Sequence, residues 1–499
     1  MQRDVRIDRI RRIVKDDYFR LSPRIVPANA VMSYRLTDQF RLFSNVSDIL
    51  IEIVPTTLFD RGVQNEKIKT SFINGVAEFN VRLDCEQEYI FKLCDSEGEM
   101  LGVELDVFAL NEDLLPLAPL KGDLHMHTAY SDGFELPSHK LAMARKRGLD
   151  YVAITDHNNF NGSLVAIEDL TKCPNRMIAL KGEEVHAGGK DPGSALSPVH
   201  ILSIDADYGV SFFRSFSSDA EYLELRNQLE AEFDVVAQDN PWLLGLGKEC
   251  AIAEIEKARK RRLEILELAD TENGEHPYWR ADEFAYTLEA CEAVKDAGGL
   301  CVLCHPMWRP ITHRNTVNRM DVSLELVKRL LEANPFDACE IVSGAPKSEA
   351  GSNLLQERLY YESGLVGRIP MIGITDNHIA NHDDYDLLGN NYSVVFAAER
   401  TARAIREAIE DGRCVAVEHY DGECARIHGD FRLSQFASFL IRTFFKAHDR
   451  NAAMEGNMME KVLAYGDEIY SSILAHICEL HASEEREWWG AAQSCFQIV

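Results

Sequence analysis

The chain has 499 residues, 46% of them hydrophobic, and a formal net charge of −28 from 81 acidic and 53 basic side chains. The length suggests roughly two to four domains, and the apolar fraction is that of an ordinary globular protein. The excess of carboxylates repels a phosphate backbone. It therefore argues against an extended nucleic-acid surface, while a small anionic substrate can still bind.

Targeting and membrane segments are not evident in the sequence. Residues 1–20 are highly charged and lack the apolar core of a signal peptide, and no stretch approaches the ~20 apolar residues of a membrane span. The 12 cysteines are scattered and form no compact disulfide framework, which is typical of reduced thiols. We therefore expect a cytoplasmic protein with no membrane contact.

Residues 1–118 are predicted to form a β-rich accessory domain. Apolar and polar side chains alternate over residues 48–54, 75–83 and 88–94, and turn signals such as Asn74-Gly75 separate these runs. A small β-sandwich is the expected architecture, with a lid, a binding module or an oligomer contact as its role. Residues 114–119 read as the linker to the next domain.

The next segment, residues 121–133, begins a set of residues with metal-binding chemistry. His125 and His127 are two residues apart, so on a strand both imidazoles point to one face. Asp132 follows five residues later. Two neutral imidazoles on one face, with a carboxylate returning from the next loop, are the beginning of a metal site.

Five later apolar runs also carry ligand-type residues. They contain, in chain order, Asp156-His157, Glu183-Glu184, His200, His305-Pro306 and Asp376-Asn377-His378. Segments with a helical pattern, such as residues 138–147 and 281–297, separate several of them. This alternation predicts an α/β domain with βα units around a parallel sheet or barrel, where residues at the strand ends converge on one face.

These pieces resemble the PHP (polymerase and histidinol phosphatase) metallohydrolases over about residues 120–419. The opening segment matches that family's D-L-H-x-H-[ST]-x-x-S-D-G form at every fixed position, and three later motifs match in the right order. The resemblance implies a distorted seven-stranded (βα) barrel over residues 119–419, with a helical insertion at about 205–297. A helical C-terminal region, 420–499, follows.

The resemblance also implies two or three divalent metal ions: Zn, Mn or Fe. The implied ligands are His125, His127 and Asp376 for one ion; Asp132, His157 and His378 for a second; and His200 and His305 for a third. A glutamate bridges the first and third ions in this family. The usual Gly-apolar-Glu-apolar pattern, aligned on Gly182, selects Glu184, with Glu183 as the fallback.

The residue types suit hydrolysis by a metal-bound hydroxide, because a bound ion can lower the pKa of its water to about 7. His200, His378 and the non-ligand His186 are candidates for the acid that protonates the leaving group, and the sequence does not rank them. Asp156, with Asp123, is expected to orient imidazoles. The catalytic candidates are therefore His200, His378 and Asp156.

Taken singly, these residues have ordinary explanations. A histidine in an apolar run, such as His200, is more often a satisfied core residue than a ligand, and Asp132 alone reads as a turn residue before Gly133. The inference of a metal site rests on all of these motifs occurring in this order, and not on any single residue. Cys301-x-x-Cys304 lies in an apolar run and is more typical of buried thiols than of a redox or zinc pair.

The remaining predictions concern the loops, the insertion and the tail. Arg309 and His313 are candidates for contact with a substrate phosphate, and His382 with Asp383-Asp384 for lining the mouth of the site, although solvated polar loops explain them as well. Trp242 and Trp279 are candidates for pocket walls, although core packing is the commoner role of tryptophan. The tail keeps helical spacing and is expected to pack on the barrel or to make a subunit contact.

Three classes of function remain open. The first is a phosphoesterase acting on a small phosphate ester, a nucleotide or an oligonucleotide end, favoured by Asp132 and the complete ligand set. The second is a hydrolase of carboxyl or carbamate esters or amides, favoured by the context of residues 182–185. A pocket with aromatic walls and no Arg or Lys would support this second class. The third is a metal-stabilised scaffold without catalysis.

Overall fold

The computed structural model describes residues 18–43, 48–56, 65–187, 199–214, 216, 218–272, 281–307, 322–344, 350–365, 367–380, 388–420 and 422–490. The chain divides into two compact units. One comprises residues 1–118, 435–448 and 479–499, and the other comprises residues 119–434 and 449–478. Within the described residues, no helix is both long enough and apolar enough to span a bilayer.

The first unit contains two β-sheets. Its strands are β1 (Phe19–Ser22), β2 (Ile25–Pro27), β3 (Val31–Asp38), β4 (Asp48–Pro55), β5 (Glu66–Ser71), β6 (Val76–Arg82), β7 (Gln87–Asp95) and β8 (Met100–Leu110). One sheet has the order β1-β3-β6 and the other β2-β8-β7-β4-β5. Alternating buried side chains from both sheets meet in one apolar core. The predicted runs at residues 48–54, 75–83 and 88–94 correspond to β4, β6 and β7.

The second unit contains a mixed six-stranded sheet. Its strands are β9 (Ala118–Asp123), β10 (Tyr151–Ala153), β11 (Ile178–Leu180), β17 (Asn391–Ala397), β18 (Cys414–Glu418) and β19 (Arg426–Gly429), in the order β11-β10-β9-β17-β18-β19. Strands β9 to β11 are parallel, and β17 to β19 are antiparallel. Strand β19 falls in the region that the sequence predicted as helical.

A five-stranded sheet completes this unit. Its strands are β12 (Gly182–His186), β13 (His200–Ile204), β14 (Leu300–Leu303), β15 (Ala338–Val342) and β16 (Met371–Gly373), in that spatial order. Strand β13 runs antiparallel to both of its neighbours, whereas β14 to β16 are parallel. The prediction of a parallel sheet was therefore wrong at β13, and also for the pairings among β17 to β19. The closed seven-stranded barrel stays a prediction.

Helices cover the sheets and fill the insertion. They are α1 (Pro137–Lys146), α2 (Asn161–Thr171), α3 (Ser211–Arg214), α4 (Asp219–Asp239), α5 (Leu243–Leu246), α6 (Lys248–Glu272), α7 (Ala281–Asp296), α8 (Leu324–Ala333), α9 (Ala350–Glu362) and α10 (Ala402–Glu410). Helices α3 to α7 occupy the region predicted as a helical insertion. The C-terminal region is helical, as expected, with α11 (Phe431–Arg442), α12 (Phe444–Tyr465) and α13 (Glu468–Trp489).

Candidate metal centre

The two sheets of the second unit adjoin where several strands end. An isolated parallel bridge joins Met126 to Asn377, just beyond β9 and β16, and another joins His157 to Glu184. Because these strand ends meet at one edge, the side chains that follow them point into a common space. His200, the first residue of β13, reaches the same space, because an antiparallel strand begins where its neighbours end.

The Glu184 carboxylate lies at the centre of this space. Its Oε2 is 3.0 Å from His125 Nε2, 3.1 Å from His127 Nε2 and 3.0 Å from His157 Nδ1, and its Oε1 is 2.6 Å from His200 Nδ1 and 3.3 Å from His305 Nε2. The neighbouring Glu183 points to the opposite face of β12, where its carboxylate accepts hydrogen bonds from the backbone N–H groups of Val210 and Ser211. Of the two glutamates, only Glu184 therefore faces the histidines.

A second carboxylate, Asp376, joins the inner part of the cluster. Its Oδ1 lies 3.3 Å from His125 Nε2 and 3.0 Å from His127 Nε2. Asp376 has φ of 52°, in the left-handed region that a non-glycine residue rarely adopts. Such conformations concentrate at functional sites, where the surrounding structure holds them.

An outer group surrounds Asp132, whose side chain is 56% exposed. The Asp132 carboxylate lies 3.7 Å from His127 Nδ1, 3.6 Å from His157 Nε2 and 3.3 Å from His378 Nε2. Ligand atoms of these four residues all lie within 4.8 Å of one another, as do those of His125, His127, Glu184 and Asp376. The structure thus brings all nine predicted ligands into one cluster.

A bound cation explains the arrangement of these nitrogen and oxygen atoms better than hydrogen bonds between them do. His125 Nε2, Glu184 Oε2 and His200 Nδ1 are buried, and among the described residues none has a hydrogen-bond partner in good geometry, despite contacts of 2.6–3.1 Å. Buried polar atoms left without hydrogen bonds cost about 1–3 kcal/mol each. Converging imidazole nitrogens and carboxylate oxygens would satisfy these groups by holding divalent ions, and the donor types suit Zn, Mn or Fe.

The carboxylates favour positive charge in this cluster. Burial alone would lower the pKa of His125, but Glu184, Glu340 and Asp376 outweigh it and raise that pKa well above its ordinary value. In the same way, carboxylates outweigh burial and raise the pKa of His378 to about 9. Surroundings that strengthen proton binding also attract a divalent cation, so protons and metal compete for these nitrogens.

Glu340, in the middle of β15, is a functional residue that the sequence analysis missed. Its Oε1 lies 2.8 Å from His125 Nδ1, and its Oε2 accepts a 2.6 Å hydrogen bond from the backbone N–H of His305. Its side chain is fully buried, in a strand whose five residues are all buried. A lone carboxylate inside an otherwise apolar strand was the sequence signal that could have revealed it.

The described contacts of Asp123 and Asp156 are with backbone and hydroxyl groups around the candidate ligands, and their role in orienting imidazoles stays a prediction. Asp156 accepts hydrogen bonds from the backbone N–H of Thr128 at 2.7 Å, from the Thr128 hydroxyl at 2.7 Å and from the Ser131 hydroxyl at 2.8 Å. Asp123 accepts from the backbone of His125 at 3.0 Å and from Thr375. Both aspartates thus fix the backbone that carries the ligands, and Asp156 is a positioning residue for the loop before Asp132.

His186 lies behind the ligand histidines. Its Nε2 is 2.9 Å from His157 Nδ1, and its ring stacks on that of His200, with centroids 4.3 Å apart. Burial, together with His200 and His157, lowers the pKa of His186 to about 3. His186 is therefore neutral near pH 7.

The two cysteines of the Cys-x-x-Cys segment are buried, as expected. Cys301 lies in β14 and Cys304 directly follows it. Burial raises the pKa of both thiols well above the ordinary value. Cys304 Sγ nevertheless approaches the atoms of His125, Glu184 and His305.

The other loop predictions lie outside the described residues. These are Trp279, Arg309, His313, His382 and Asp383-Asp384. Trp242, by contrast, lies at the start of α5 and lines a cavity beside the cluster.

Comparison with known proteins gives one family match. Residues 123–282 match the family model of the PHP domain. A 59-residue stretch is 37% identical to the DNA polymerase/3′-5′ exonuclease PolX of Bacillus subtilis, covering 12% of this chain and 10% of that protein. The chain thus spans only about a tenth of the length of this curated relative.

Solved structures give weaker similarities. One is a two-domain protein from Bacteroides vulgatus containing a predicted PHP-like metal-dependent phosphoesterase. It is 19% identical, with coverage of 61% of this chain and 66% of that one, and the TM-score is 0.34. Another is an amidohydrolase from Chromobacterium violaceum, 20% identical, with coverage of 53% and 89% and a TM-score of 0.30.

Proposed function

We propose that this chain, whose residues 123–282 match the family model of the PHP domain, is a metal-dependent phosphoesterase. The substrate is a small phosphate ester, such as a nucleotide, or an oligonucleotide end. The observation that carries the proposal is the convergence of five imidazole nitrogens on the two oxygens of Glu184.

Three ion positions account for the ligands. His125, His127 and Asp376 would hold the inner ion; Asp132, His157 and His378 the outer one; and His200 and His305 the third. Glu184 would contribute to both the first and the third, because its two oxygens face separate sets of histidines. Such ions, when bound, neutralise phosphate charge and activate water at neutral pH.

The chain's own residues shield the inner part of the cluster from solvent and supply the proton for the leaving group. His125, His127 and Glu184 have no solvent exposure, so water reaches the cluster from the side of Asp132 and His378. The leaving-group oxygen needs a proton at this open side. His378 and His200 are the proposed donors, each only when its ligand nitrogen is not bound to an ion, and His186, with its pKa near 3, is the weakest of the three candidates.

The decisive experiment measures phosphate release by protein reconstituted with Mn²⁺ or Zn²⁺. The substrates are nucleoside mono- and bisphosphates, short oligonucleotides and sugar phosphates, with a chelated sample as control. His305→Ala should reduce release to the chelated level, because it removes a buried ligand. His476→Ala, an exposed histidine of α13, is the matched control.

The outcomes separate the three classes of function. Wild-type turnover by a folded His305→Ala protein, judged by its unfolding midpoint, would refute the metal assignment. Metal binding without hydrolysis of any ester would indicate a scaffold.

A hydrolase of carboxyl or carbamate esters or amides is the second candidate. A cavity beside the cluster has aromatic walls and, among the described residues, no Lys or Arg in its lining, which favours this class. Release of alcohol from carbamate esters, with no phosphate release from any phosphate ester, would establish it.

A further inference from the structure

Two histidines and a glutamate form a buried cluster in the first unit, whereas the candidate metal centre belongs to the second. His448 lies in the first turns of α12, and His481 and Glu485 lie near the end of α13. Each of the three residues is at most 2% exposed. They take no part in the proposed phosphoesterase reaction.

The helical spacing of α13 brings two of these side chains to one face. His481 and Glu485 are four residues apart, and residues at i and i+4 lie one above the other on a helix. His481 Nε2 is 3.5 Å from Glu485 Oε1. A charge-assisted hydrogen bond between a nitrogen and a carboxylate oxygen is normally about 2.7–2.9 Å long. The two atoms are therefore farther apart than such a bond would hold them.

The same distance is the one expected between two ligands of one metal ion. Zinc binds imidazole nitrogens at about 2.0–2.1 Å and carboxylate oxygens at about 2.0–2.2 Å, in a tetrahedral arrangement. Two ligand atoms at those distances from a tetrahedral ion are about 3.4 Å apart. The histidine and the glutamate of α13 thus have the separation of neighbouring corners of a zinc tetrahedron.

His448 supplies a third donor from a different helix. Its ring centroid is 4.8 Å from that of His481, and the two ring planes are tilted by 59°. One ligand atom from each of the three residues lies within 4.8 Å of the other two. Three side chains from two helices therefore converge on one small volume.

Aromatic rings surround this volume. The rings of Phe444 and Phe445 lie 5.7 Å and 5.6 Å from that of His448, measured between centroids. Phe444 also meets Trp489 edge-to-face at 5.2 Å. A buried carboxylate in such surroundings is costly unless a positive group compensates it. A divalent ion shared with two neutral imidazoles would supply that positive charge.

We propose that His448, His481 and Glu485 hold one Zn²⁺ ion, separate from the ions of the candidate metal centre. Two imidazoles and a carboxylate are a donor set that zinc accepts, and a tetrahedral ion keeps a fourth position for a water. Because the three ligands are buried, a substrate does not reach this position, and the ion is structural. This inference does not depend on the phosphoesterase function.

The ion would connect two helical segments that both pack on the β-strands of the first unit. Phe439, just before α12, packs on Phe108 of β8, with ring centroids 5.4 Å apart. At the end of α13, the Arg24 guanidinium lies 4.4 Å from the centre of the Trp488 ring, and the Arg24 backbone N–H donates to the Trp488 carbonyl at 2.7 Å. An ion between α12 and α13 would hold the two segments together, so we expect it to stabilise this unit.

The test counts zinc in the whole chain after reconstitution with Zn²⁺ and dialysis. Elemental analysis should find one ion fewer per chain in His481→Ala and in Glu485→Gln than in the wild type. His476→Ala, which removes an exposed histidine of the same helix, is the matched control and should keep the wild-type count. All three variants retain the residues of the candidate metal centre, so the difference in zinc content reports on this cluster alone.

Unfolding midpoints give a second readout. Adding Zn²⁺ to chelated protein should raise the midpoint less in His481→Ala than in the wild type. The double variant with His305→Ala should gain less again, because two independent sites contribute additively.

An equal zinc count in the wild type, His481→Ala and Glu485→Gln would overturn the proposal and leave a protonated histidine to compensate the carboxylate. If His481→Ala fails to fold, Glu485→Gln, which keeps the size and shape of the side chain, decides by its zinc count.

Discussion

At the residue scale, Glu340 controls the orientation of two ligands at once. One oxygen faces His125 Nδ1 and the other holds the backbone N–H of His305. A carboxylate on the second ring nitrogen fixes which nitrogen faces the metal and increases the basicity of the ligand. Glu340 is not itself a predicted ligand, yet it holds the imidazole of His125 and the backbone of His305, which are predicted ligands of different ions.

Glu340→Gln is expected to weaken metal binding by about 10–100-fold, because the amide cannot replace both charge-assisted contacts. Metal titration followed by elemental analysis measures this, with the exposed Glu332→Gln of α8 as the matched control. Unchanged affinity in Glu340→Gln would contradict the positioning role.

The candidate ligands that the structure brings together could be selected from the sequence, but the partners of Glu340 could not, for a physical reason. His125, Asp132 and His378 lie in short motifs whose local spacing already places them on one face or loop. Glu340 acts across 215 positions of sequence on His125, a contact that only the pairing of sheets creates. The local sequence pattern predicts a buried carboxylate at Glu340, but it does not identify His125 as the partner.

At the element scale, the loop between β9 and α1 is held in one shape by close packing. A Cβ on Gly133 would lie 2.4 Å from the His127 carbonyl carbon and 2.5 Å from Thr128 N. The Gly133 N–H also donates to the Thr128 carbonyl at 2.9 Å. This turn brings Asp132 back over His127.

Gly133→Ala is expected to cost about 1–3 kcal/mol of stability and to displace Asp132, because the backbone must move apart. Elemental analysis should then find one ion fewer per chain, with a lower unfolding midpoint. Gly245→Ala, where a Cβ meets nothing within 4 Å, is the control. Full metal content in a stable Gly133→Ala protein would contradict this account.

Whether a segment is a helix or a strand could be predicted from the sequence more readily than the strands with which it pairs. Period-two alternation marked β4, β6 and β7, and helical spacing marked the insertion. The direction of β13 was missed, because a fully buried strand carries the same apolar run whether its neighbours are parallel or antiparallel. Strand β19 has only four residues, which is too short for its pattern to stand out beside the helical pattern that follows it.

At the scale of the whole molecule, the acidic balance and the cluster act together. The net charge of −28 favours cations generally, and the buried carboxylates concentrate that preference at one point. Without a cation, protons take its place, since the pKa values of His125, His157, His305 and His378 are all raised.

This balance predicts a pH-dependent effect of metal on unfolding. A histidine whose folded pKa is raised stabilises the protein below its unfolded pKa of about 6.5, and that contribution is lost as pH rises through the folded pKa, about 9 for His378. Chelated protein should therefore become less stable between about pH 6.5 and 9. Metal should restore stability most at the alkaline end, by about 2.7 kcal/mol at a hundredfold excess over Kd.

Calorimetric unfolding with and without Mn²⁺ at pH 6.5, 7.5 and 9 measures the effect. His305→Ala should show a smaller gain than the wild type at each pH. A metal effect that is larger at pH 6.5 than at pH 9 would contradict the proton–metal competition.

The side chains of Glu183 and Glu184 have separate surroundings, so residues around one glutamate can change without changing the contacts of the other. One glutamate faces the ions and the other anchors the start of the insertion through Val210 and Ser211. Substitutions in the insertion can thus reshape the cavity without altering the side of the strand that faces the metals. A chain with the same strand β12 and a different insertion would keep the predicted ligand set while presenting a different cavity.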